Sequence, residues 1–135
     1  MSKQKLAPAK EWRNRDIKDW NVISFTEYLK DSHKHTFGVD YAPMRSWGLE
    51  QGMIGDLIGT KTKERTVSNA LVKAFIDEAF ATYTPNASYP GTSFGFSYSY
   101  RRNILQRLQA EEMKQEQRKV SEDNADSLDD LADWL

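Results

Sequence analysis

The residues best suited to catalysis or metal binding are few in this chain, and their spacing is unfavourable. His33 and His35 lie two residues apart in a segment that we predict to be helical, which puts their rings about 200° apart around the helix axis. The chain has no cysteine, so no thiolate can bind a metal or act as a nucleophile. We therefore expect no metal site and no cofactor, and we expect both histidines to face solvent.

Two other patterns could suggest an enzyme, and neither meets the chemical requirement. Residues 55–62 (GDLIGTKT) resemble a phosphate-binding loop, but no glycine directly precedes Lys61 and no buried strand leads into the segment. Asp77 and Glu78 follow Ile76 in a predicted helix, where we expect them to face water and not to act in acid–base catalysis. We predict that the protein is not an enzyme.

The charged residues are divided unevenly along the chain. Residues 1–120 contain all 19 lysines and arginines and 14 of the 20 acidic residues, a net charge of +5, whereas residues 121–135 contain six acidic residues and no basic one. A mildly basic body is therefore joined to a strongly acidic end.

Basic residues cluster at two places that could contact nucleic acid. The first is a polar linker together with the exposed face of the predicted third helix, and the second lies beside Tyr98 and Tyr100, which could stack on bases. The predicted nucleic-acid-binding residues are Lys61, Lys63, Arg65, Asn69, Lys73, Arg101, Arg102 and Arg107. The alternative for the second cluster is that its aromatic residues belong to the core and its arginines extend to solvent.

The acidic end has the pattern of a docking peptide. Its leucines recur at intervals of three and four residues among aspartates, which is how an amphipathic helix presents anchors to a groove. The predicted partner-binding residues are Leu128, Leu131, Trp134 and Leu135. The alternative is that this tail folds back and shields the basic surface of its own domain.

The segment 127–135, SLDDLADWL, resembles the acidic and hydrophobic C-terminal peptide with which late-transcription coactivators and sigma-like factors of T-even phages bind the sliding clamp. The stretch from Asp19 to Asn103 is similar to small replication or transcription accessory proteins of tailed phages. The resemblance implies a phage-encoded protein whose tail binds a sliding clamp, a helicase or RNA polymerase. It implies Leu131, Trp134 and Leu135 as the anchors.

Three segments carry strong helix signals. The first runs from Ser24, which opens a capping box with Glu27, to a stop at Gly38. The second covers residues 49–58, and the third runs from about 66 to 83, where its wide apolar face places it at the centre of the core.

A fourth segment, residues 94–100, is ambiguous. Its aromatic residues alternate with small ones, as in a strand, but they also recur every four residues, as in a helix. We favour a helix that continues through Leu108, with the polar residues 109–119 extending it into solvent and residues 121–126 forming a flexible spacer.

These elements predict a mostly α-helical fold, a compact bundle of three or four helices that could be helix-turn-helix-like, with a short β element as the alternative. We predict a basic flexible arm at residues 1–18, a helical domain with a projecting C-terminal helix at residues 19–120, and an acidic-hydrophobic interaction tail at residues 121–135. No apolar run approaches the ~18–20 residues that cross a bilayer, and residues 1–10 lack the apolar stretch of a secretory signal. We expect a cytoplasmic protein with no membrane partner.

The combined expectation is a non-enzymatic accessory protein of DNA replication or transcription. Its body would bind DNA or a DNA-bound complex, and its tail would recruit a protein. One alternative is a protein-only regulator or inhibitor of a host nucleic-acid enzyme, and another is a structural or assembly component.

Overall fold

The structure, a computed structural model, describes the backbone of residues 6–133 and the side chains of residues 6–124. Five α-helices account for most of these residues, and the predicted mostly helical bundle is confirmed. The helices are α1 (Val22–Phe37), α2 (Trp47–Ile58), α3 (Asn69–Thr82), α4 (Phe94–Tyr100) and α5 (Arg102–Asp133), preceded by two short 3-10 helices at Trp12–Asn14 and Ile17–Asp19.

Helix α1 begins two residues earlier than predicted. The Asn21 side chain accepts a hydrogen bond from the Ser24 amide (3.1 Å), and the Ser24 hydroxyl accepts one from the Asn21 amide (3.3 Å). Ser24 is therefore the third residue of the helix, and the predicted Ser24–Glu27 capping box is wrong, since Asn caps a helix at least as well as Ser does. Gly38, with φ +75°, ends the helix as predicted.

Helix α2 ends where predicted, and α3 begins later than predicted. Gly59 has φ +90°, and a Cβ atom there would lie 2.9 Å from the Arg65 backbone nitrogen, so glycine is required on both counts. The connector then folds onto α2, because the Thr66 amide donates to the Leu57 carbonyl (2.9 Å). Ser68 caps α3 by accepting from a backbone amide, so α3 starts three residues after the expected boundary.

Helix α3 is the central helix, as predicted from its wide apolar face. It contacts α1, α2, α4, α5 and the second 3-10 helix, and its buried residues include Val72, Phe75 and Ile76. A recognition helix needs an open face that can enter a nucleic-acid groove. The packing of α3 leaves only a narrow exposed strip, so the bundle disfavours the helix-turn-helix interpretation.

Residues 94–100 form a helix, and no strand is present among the residues 6–133 that the structure describes. The short β element is therefore wrong, because the four-residue spacing stacks the Phe94 and Tyr98 rings 5.9 Å apart along one helix face. The predicted continuation through Leu108 is interrupted at Arg101. The Arg101 guanidinium donates to the Ala79 carbonyl (3.1 Å) at the end of α3, which fixes the turn between α4 and α5.

The described part of the predicted N-terminal arm lies against the body. The Trp12 ring packs edge-on against Tyr28, with centroids 4.9 Å apart, and its indole N–H donates to Asp31 (2.7 Å). The Arg15 guanidinium donates to two carbonyl groups of the same segment. These contacts hold residues 6–18 near α1, so this part of the chain is not the free basic arm that we predicted.

Candidate functional site

Helix α5 leaves the body after its first four turns. Among the side chains that the structure describes, Glu112 makes the last hydrogen bond between α5 and the body, accepting from the Ser68 hydroxyl (3.1 Å), and residues 117–124 are all exposed. The helix nevertheless continues to Asp133, which is about 26 Å beyond Glu116 at 1.5 Å per residue. The predicted projecting helix is present, and it is longer than expected.

The predicted partner-binding residues lie at the far end of this helix or beyond it. Leu128 and Leu131 fall within the helical backbone of α5, while their side chains, together with the whole of Trp134 and Leu135, lie outside the described residues. Their docking role stays a prediction. The boundary at residue 121 falls inside continuous helix, so the spacer predicted at 121–126 is helical instead.

A shallow groove runs along α5 on the side next to the α2–α3 connector. Its inner part, about 370 Å³, lies between α5 and the start of α3, and it opens outward onto an exposed strip of α5 alone. We call it the α5 groove, and it is lined by Arg65, Thr66, Val67, Ser68, Leu71, Gln109, Glu112, Met113, Glu116, Gln117, Val120 and Ser121. Met113 and Val120 are 60% and 58% exposed, so two large apolar side chains face solvent there.

The predicted basic linker keeps only part of its charge available. Lys61 is exposed, whereas Lys63 forms an ion pair with Asp56. One guanidinium nitrogen of Arg65 donates hydrogen bonds to the Val67 carbonyl (3.1 Å) and to the Asn69 side-chain oxygen (2.8 Å). The three basic residues are close in sequence, but two of them already have partners in the body.

The prediction placed Asn69 on an exposed face, and the structure buries it. The Asn69 amide donates to the carbonyls of Ile17 (2.8 Å) and Trp20 (2.8 Å), which ties the 3-10 segment to α3. Lys73 is partly exposed, but its ammonium group lies 2.7 Å from an Asp77 oxygen. Asn69 therefore stabilises the fold, and the exposed position expected for it is wrong.

The second predicted basic cluster is also engaged in the body. The guanidinium of Arg102 lies 4.5 Å from the centre of the Tyr98 ring, and that of Arg107 pairs with Glu78 and Glu111. Arg101 ties the turn between α4 and α5 to α3, as described above. Of this cluster, Arg102 is exposed and forms no ion pair among the described residues, and it lies over the half-buried Tyr98 ring.

The most buried charged side chain is one that the sequence analysis missed. Glu50 has no exposed surface, and its carboxylate accepts hydrogen bonds from the Tyr41 hydroxyl and from the amides of Met44 (3.0 Å) and Gly95 (2.9 Å). The Tyr41 hydroxyl in turn accepts from the Phe94 amide (2.7 Å). Burial, followed by the charge of Glu50, raises the pKa of Tyr41 well above its ordinary value.

This Glu50 cluster has a structural role. The Phe94 and Gly95 amides belong to the first turn of α4, whose donors have no partner within the helix. Glu50 and Tyr41 supply those partners, and every polar atom of the cluster is used. A signal for this was present, because Glu50 precedes Ile54 by four residues and Leu57 by seven, on the apolar stripe of α2.

His33 is 2% exposed, so the expectation that it faces solvent is wrong. Its Nδ1 lies 3.0 Å from the Val39 carbonyl, and the Phe37 and Tyr41 rings lie about 5 Å from it. Because a carbonyl oxygen can only accept, Nδ1 carries the proton of this hydrogen bond. The ring and the loop that contains Gly91 both line a cleft of about 830 Å³.

Neither metal-binding chemistry nor similarity to known proteins indicates a function for this chain. Among the described residues, no group of three or more histidines and carboxylates could hold a metal ion. None of the helices described here combines the length and the hydropathy that a bilayer crossing needs. Comparison of the chain with protein-family models, with curated proteins and with solved structures gave no match.

Proposed function

We propose that the protein is a non-enzymatic adaptor of DNA replication or transcription, whose tail recruits a protein partner. The observation that supports this is the reach of α5, which continues as a helix about 26 Å beyond Glu116 to Asp133. A segment held at that distance from its own core can enter a groove on another protein without a rearrangement of the body.

The chemistry of the tail defines the partner surface. Leucine and tryptophan side chains at helical spacing require an apolar groove, and tryptophan contributes strongly to binding where it is fully desolvated. The six acidic residues after Val120 require a basic rim around that groove. The resemblance of residues 127–135 to clamp-binding peptides makes a phage sliding clamp the first partner to test.

The test is a titration of a fluorescently labelled peptide, residues 121–135, with a purified T-even-type sliding clamp, followed by anisotropy. We expect saturable binding that unlabelled full-length protein displaces. A control peptide with Leu131→Ala and Trp134→Ala has the same charge, and we expect it to bind at least about tenfold more weakly.

Equal binding of the two peptides would mean that the contact is electrostatic only and would contradict the anchor model. Absence of binding to the clamp, to the replicative helicase and to RNA polymerase would reject recruitment through this tail.

Exposed aromatic rings favour a second candidate, contact of the body with single-stranded DNA. Phe96 and Tyr100 are 39% and 73% exposed, with ring centroids 5.1 Å apart, and Arg102 lies close by in sequence. Exposed rings beside a guanidinium suit base stacking and backbone contact. In a gel-shift titration, Tyr100→Ala should weaken binding, whereas Ile23→Ala, which truncates an exposed side chain at the start of α1, should not.

A further inference from the structure

The cleft beside His33 has the size of a small-molecule site and is lined by exposed aromatic rings. Its volume is about 830 Å³, within the roughly 300–1,000 Å³ that is usual for ligand pockets. Tyr89, Phe96 and Tyr100 all line it, and they are 68%, 39% and 73% exposed. Rings that keep this much surface in solvent can stack on a flat ligand.

His33 brings a hydrogen-bond acceptor to this cleft. Its ring is 2% exposed, lines the cleft and donates through Nδ1 to the Val39 carbonyl (3.0 Å). When the ring carries one proton, on Nδ1, its Nε2 can only accept, and Nε2 accepts no hydrogen bond from the described residues. Every fully buried side-chain nitrogen and oxygen atom of those residues has a partner, so Nε2 is not fully buried. A ligand in the cleft should therefore supply an N–H or O–H group.

The residue that faces this edge of the ring is a glycine. A Cβ atom on Gly91 would lie 2.2 Å from Nε2 of His33, so any other side chain would cover the acceptor or displace the ring. The loop itself is fixed by hydrogen bonds. The Asn86 side-chain oxygen accepts from the Tyr89 amide (2.8 Å), and the Tyr83 hydroxyl donates to the Tyr89 carbonyl (2.9 Å). The acceptor and the loop beside it are thus positioned before a ligand binds, which lowers the entropic cost of binding.

The charges at the cleft favour an uncharged ligand. No lysine or arginine is among the described residues that line it, and Asp40 is the one carboxylate there. The Asp40 carboxylate already pairs with the ammonium group of Lys34 (3.3 Å). A phosphate or carboxylate group would find no fixed positive charge inside the cleft, and an organic cation would have to compete with Lys34 for Asp40.

We propose that this cleft binds a nucleobase, which stacks on the exposed rings and donates one N–H group to Nε2 of His33. A base is flat and uncharged and carries N–H groups at its edge, so it meets all three requirements. A free nucleoside and an unpaired base of a strand present the same group. For the strand, this inference rests on the second candidate function above, since it supplies the base that Phe96 and Tyr100 would stack on; for the free nucleoside it does not.

The first test titrates isotopically labelled full-length protein with adenosine and follows chemical shifts by NMR, at about pH 8, where an imidazole ordinarily carries one proton. We expect saturable shifts of the Gly91 and Phe96 amides and of the His33 Nε2 resonance. Purine riboside is the matched ligand, because it has the same ring and lacks the amino group that holds the N–H donors of adenine. We expect it to bind about tenfold more weakly.

Two variants test the two parts of the site. His33→Asn keeps a side-chain amide that can donate to the Val39 carbonyl but places no acceptor at the position of Nε2, so it should bind the two nucleosides equally. Tyr100→Ala removes an exposed ring without disturbing the core and should weaken both nucleosides about tenfold. Ile23→Ala, at an exposed position outside the cleft, is the control and should bind both nucleosides as the wild type does.

A short oligodeoxyadenylate distinguishes the two sources of the base. If it shifts the same resonances and binds more tightly than adenosine, the cleft takes an unpaired base of a strand. If adenosine alone shifts them, the cleft takes a free nucleoside. Either result supports the site.

Three results would overturn the proposal. They are the absence of shifts at the cleft with adenosine up to its solubility limit, equal binding of adenosine and purine riboside to the wild type, and tighter binding of choline, which would assign the rings and Asp40 to an organic cation. A failed gel shift with the nucleoside shifts present would reject contact with single-stranded DNA and leave the site standing. A positive gel shift without the nucleoside shifts would do the reverse.

Discussion

The carboxylate of Glu50 stabilises the fold through the three donors that converge on it. It has no exposed surface, and it satisfies the Tyr41 hydroxyl and the backbone amides of Met44 and Gly95. Glu50→Ala leaves these buried donors without a partner, at about 1–3 kcal/mol for each group that stays unsatisfied. We expect the free energy of unfolding, measured in urea, to fall by about 3 kcal/mol.

Two further variants separate this effect from the loss of any surface acid. Glu64→Ala removes an exposed carboxylate and should change stability by less than about 0.5 kcal/mol. Glu50→Gln retains one acceptor oxygen. Its loss of unfolding free energy should therefore lie between those of Glu64→Ala and Glu50→Ala. A Glu50→Ala protein as stable as Glu64→Ala would show that the buried hydrogen bonds contribute nothing.

The raised pKa of Tyr41 predicts a loss of stability in alkaline solution. In the unfolded chain this hydroxyl titrates near pH 10, and in the folded protein it keeps its proton to higher pH. Its contribution is complete below pH 10 and is lost as the pH rises above 10, because the unfolded state releases the proton first.

The slope for one such group approaches about 1.4 kcal/mol per pH unit. Tyr41→Phe should be less stable at neutral pH and should lose stability less steeply between pH 10 and 11 in urea unfolding. Some decline will remain, because burial also raises the pKa of Tyr28. Tyr89→Phe, at an exposed position, should retain the full wild-type slope, and an unaltered slope in Tyr41→Phe would refute the assignment.

Replacement by alanine should have opposite effects on stability at Gly91 and at Gly52. A methyl group on Gly91 would overlap the His33 ring at Nε2, whereas one on Gly52 would meet nothing within 4 Å. Gly91→Ala should therefore cost about 1–3 kcal/mol as His33 is displaced. Gly52→Ala, in the interior of α2, should stabilise by up to about 1 kcal/mol, and thermal unfolding of both variants checks the two signs.

At the scale of elements, the helices were predictable because their apolar residues repeat at intervals of three and four. The wide apolar face of α3 predicted its central position, and Gly38 and Gly59 marked helix ends correctly. The helix starts were harder to predict, because several nearby polar residues can compete to be the N-cap. Asn21 and Ser24 could both cap α1, and only the geometry of the chain before them selects Asn21.

The burial of Glu50 and His33 could not be predicted in full from local sequence. Each is enclosed by residues distant in the chain, Glu50 by the start of α4 and His33 by Tyr41, Phe80 and the Gly91 loop. Asn69 and Arg101 are likewise held by hydrogen bonds to backbone carbonyls that are distant in the chain. Residue type indicated a polar surface, and tertiary contacts turned these side chains into internal hydrogen-bonding partners.

The distal half of α5 should behave as an element separate from the body. Gln117 lies beyond the last hydrogen bond to the body, and proline there removes a helical bond and clashes with the preceding turn. Gln117→Pro should reduce the circular dichroism at 222 nm and leave the Tm of the body within about 2 °C, since no core residue is touched. Gln117→Ala is the control, and a Tm lowered only by proline would show that the distal helix supports the core.

At the scale of the whole molecule, α3 and the Glu50 cluster make a rigid body, and α5 separates that body from an end of opposite charge. The body is held by aromatic residues from every part of the chain, including Trp12, Phe75 and Phe94. The side chains of the distal helix that the structure describes, residues 117–124, share none of this packing. The molecule is therefore an electrostatic dipole in which the two charges cannot neutralise each other within one copy while α5 is straight.

This dipole predicts that the tail restrains any binding of the body to nucleic acid. Deletion of residues 121–135 changes the formal net charge from −1 to +5, so electrostatic repulsion of phosphate is replaced by attraction. We expect the truncated protein to bind short DNA about tenfold more tightly than the full chain at low salt, with the difference shrinking as salt is added. Fluorescence anisotropy with labelled DNA measures both quantities.

A full-length variant separates charge from shape in this experiment. Replacing all six acidic residues after Val120 with their amides gives the same net charge of +5 and preserves the length of the chain. If charge is the cause, this variant should gain affinity as the truncated protein does. A gain in the truncated protein alone would indicate that the tail blocks the surface sterically, and no gain in either would indicate that the body does not bind DNA and that the tail alone connects this protein to its partners.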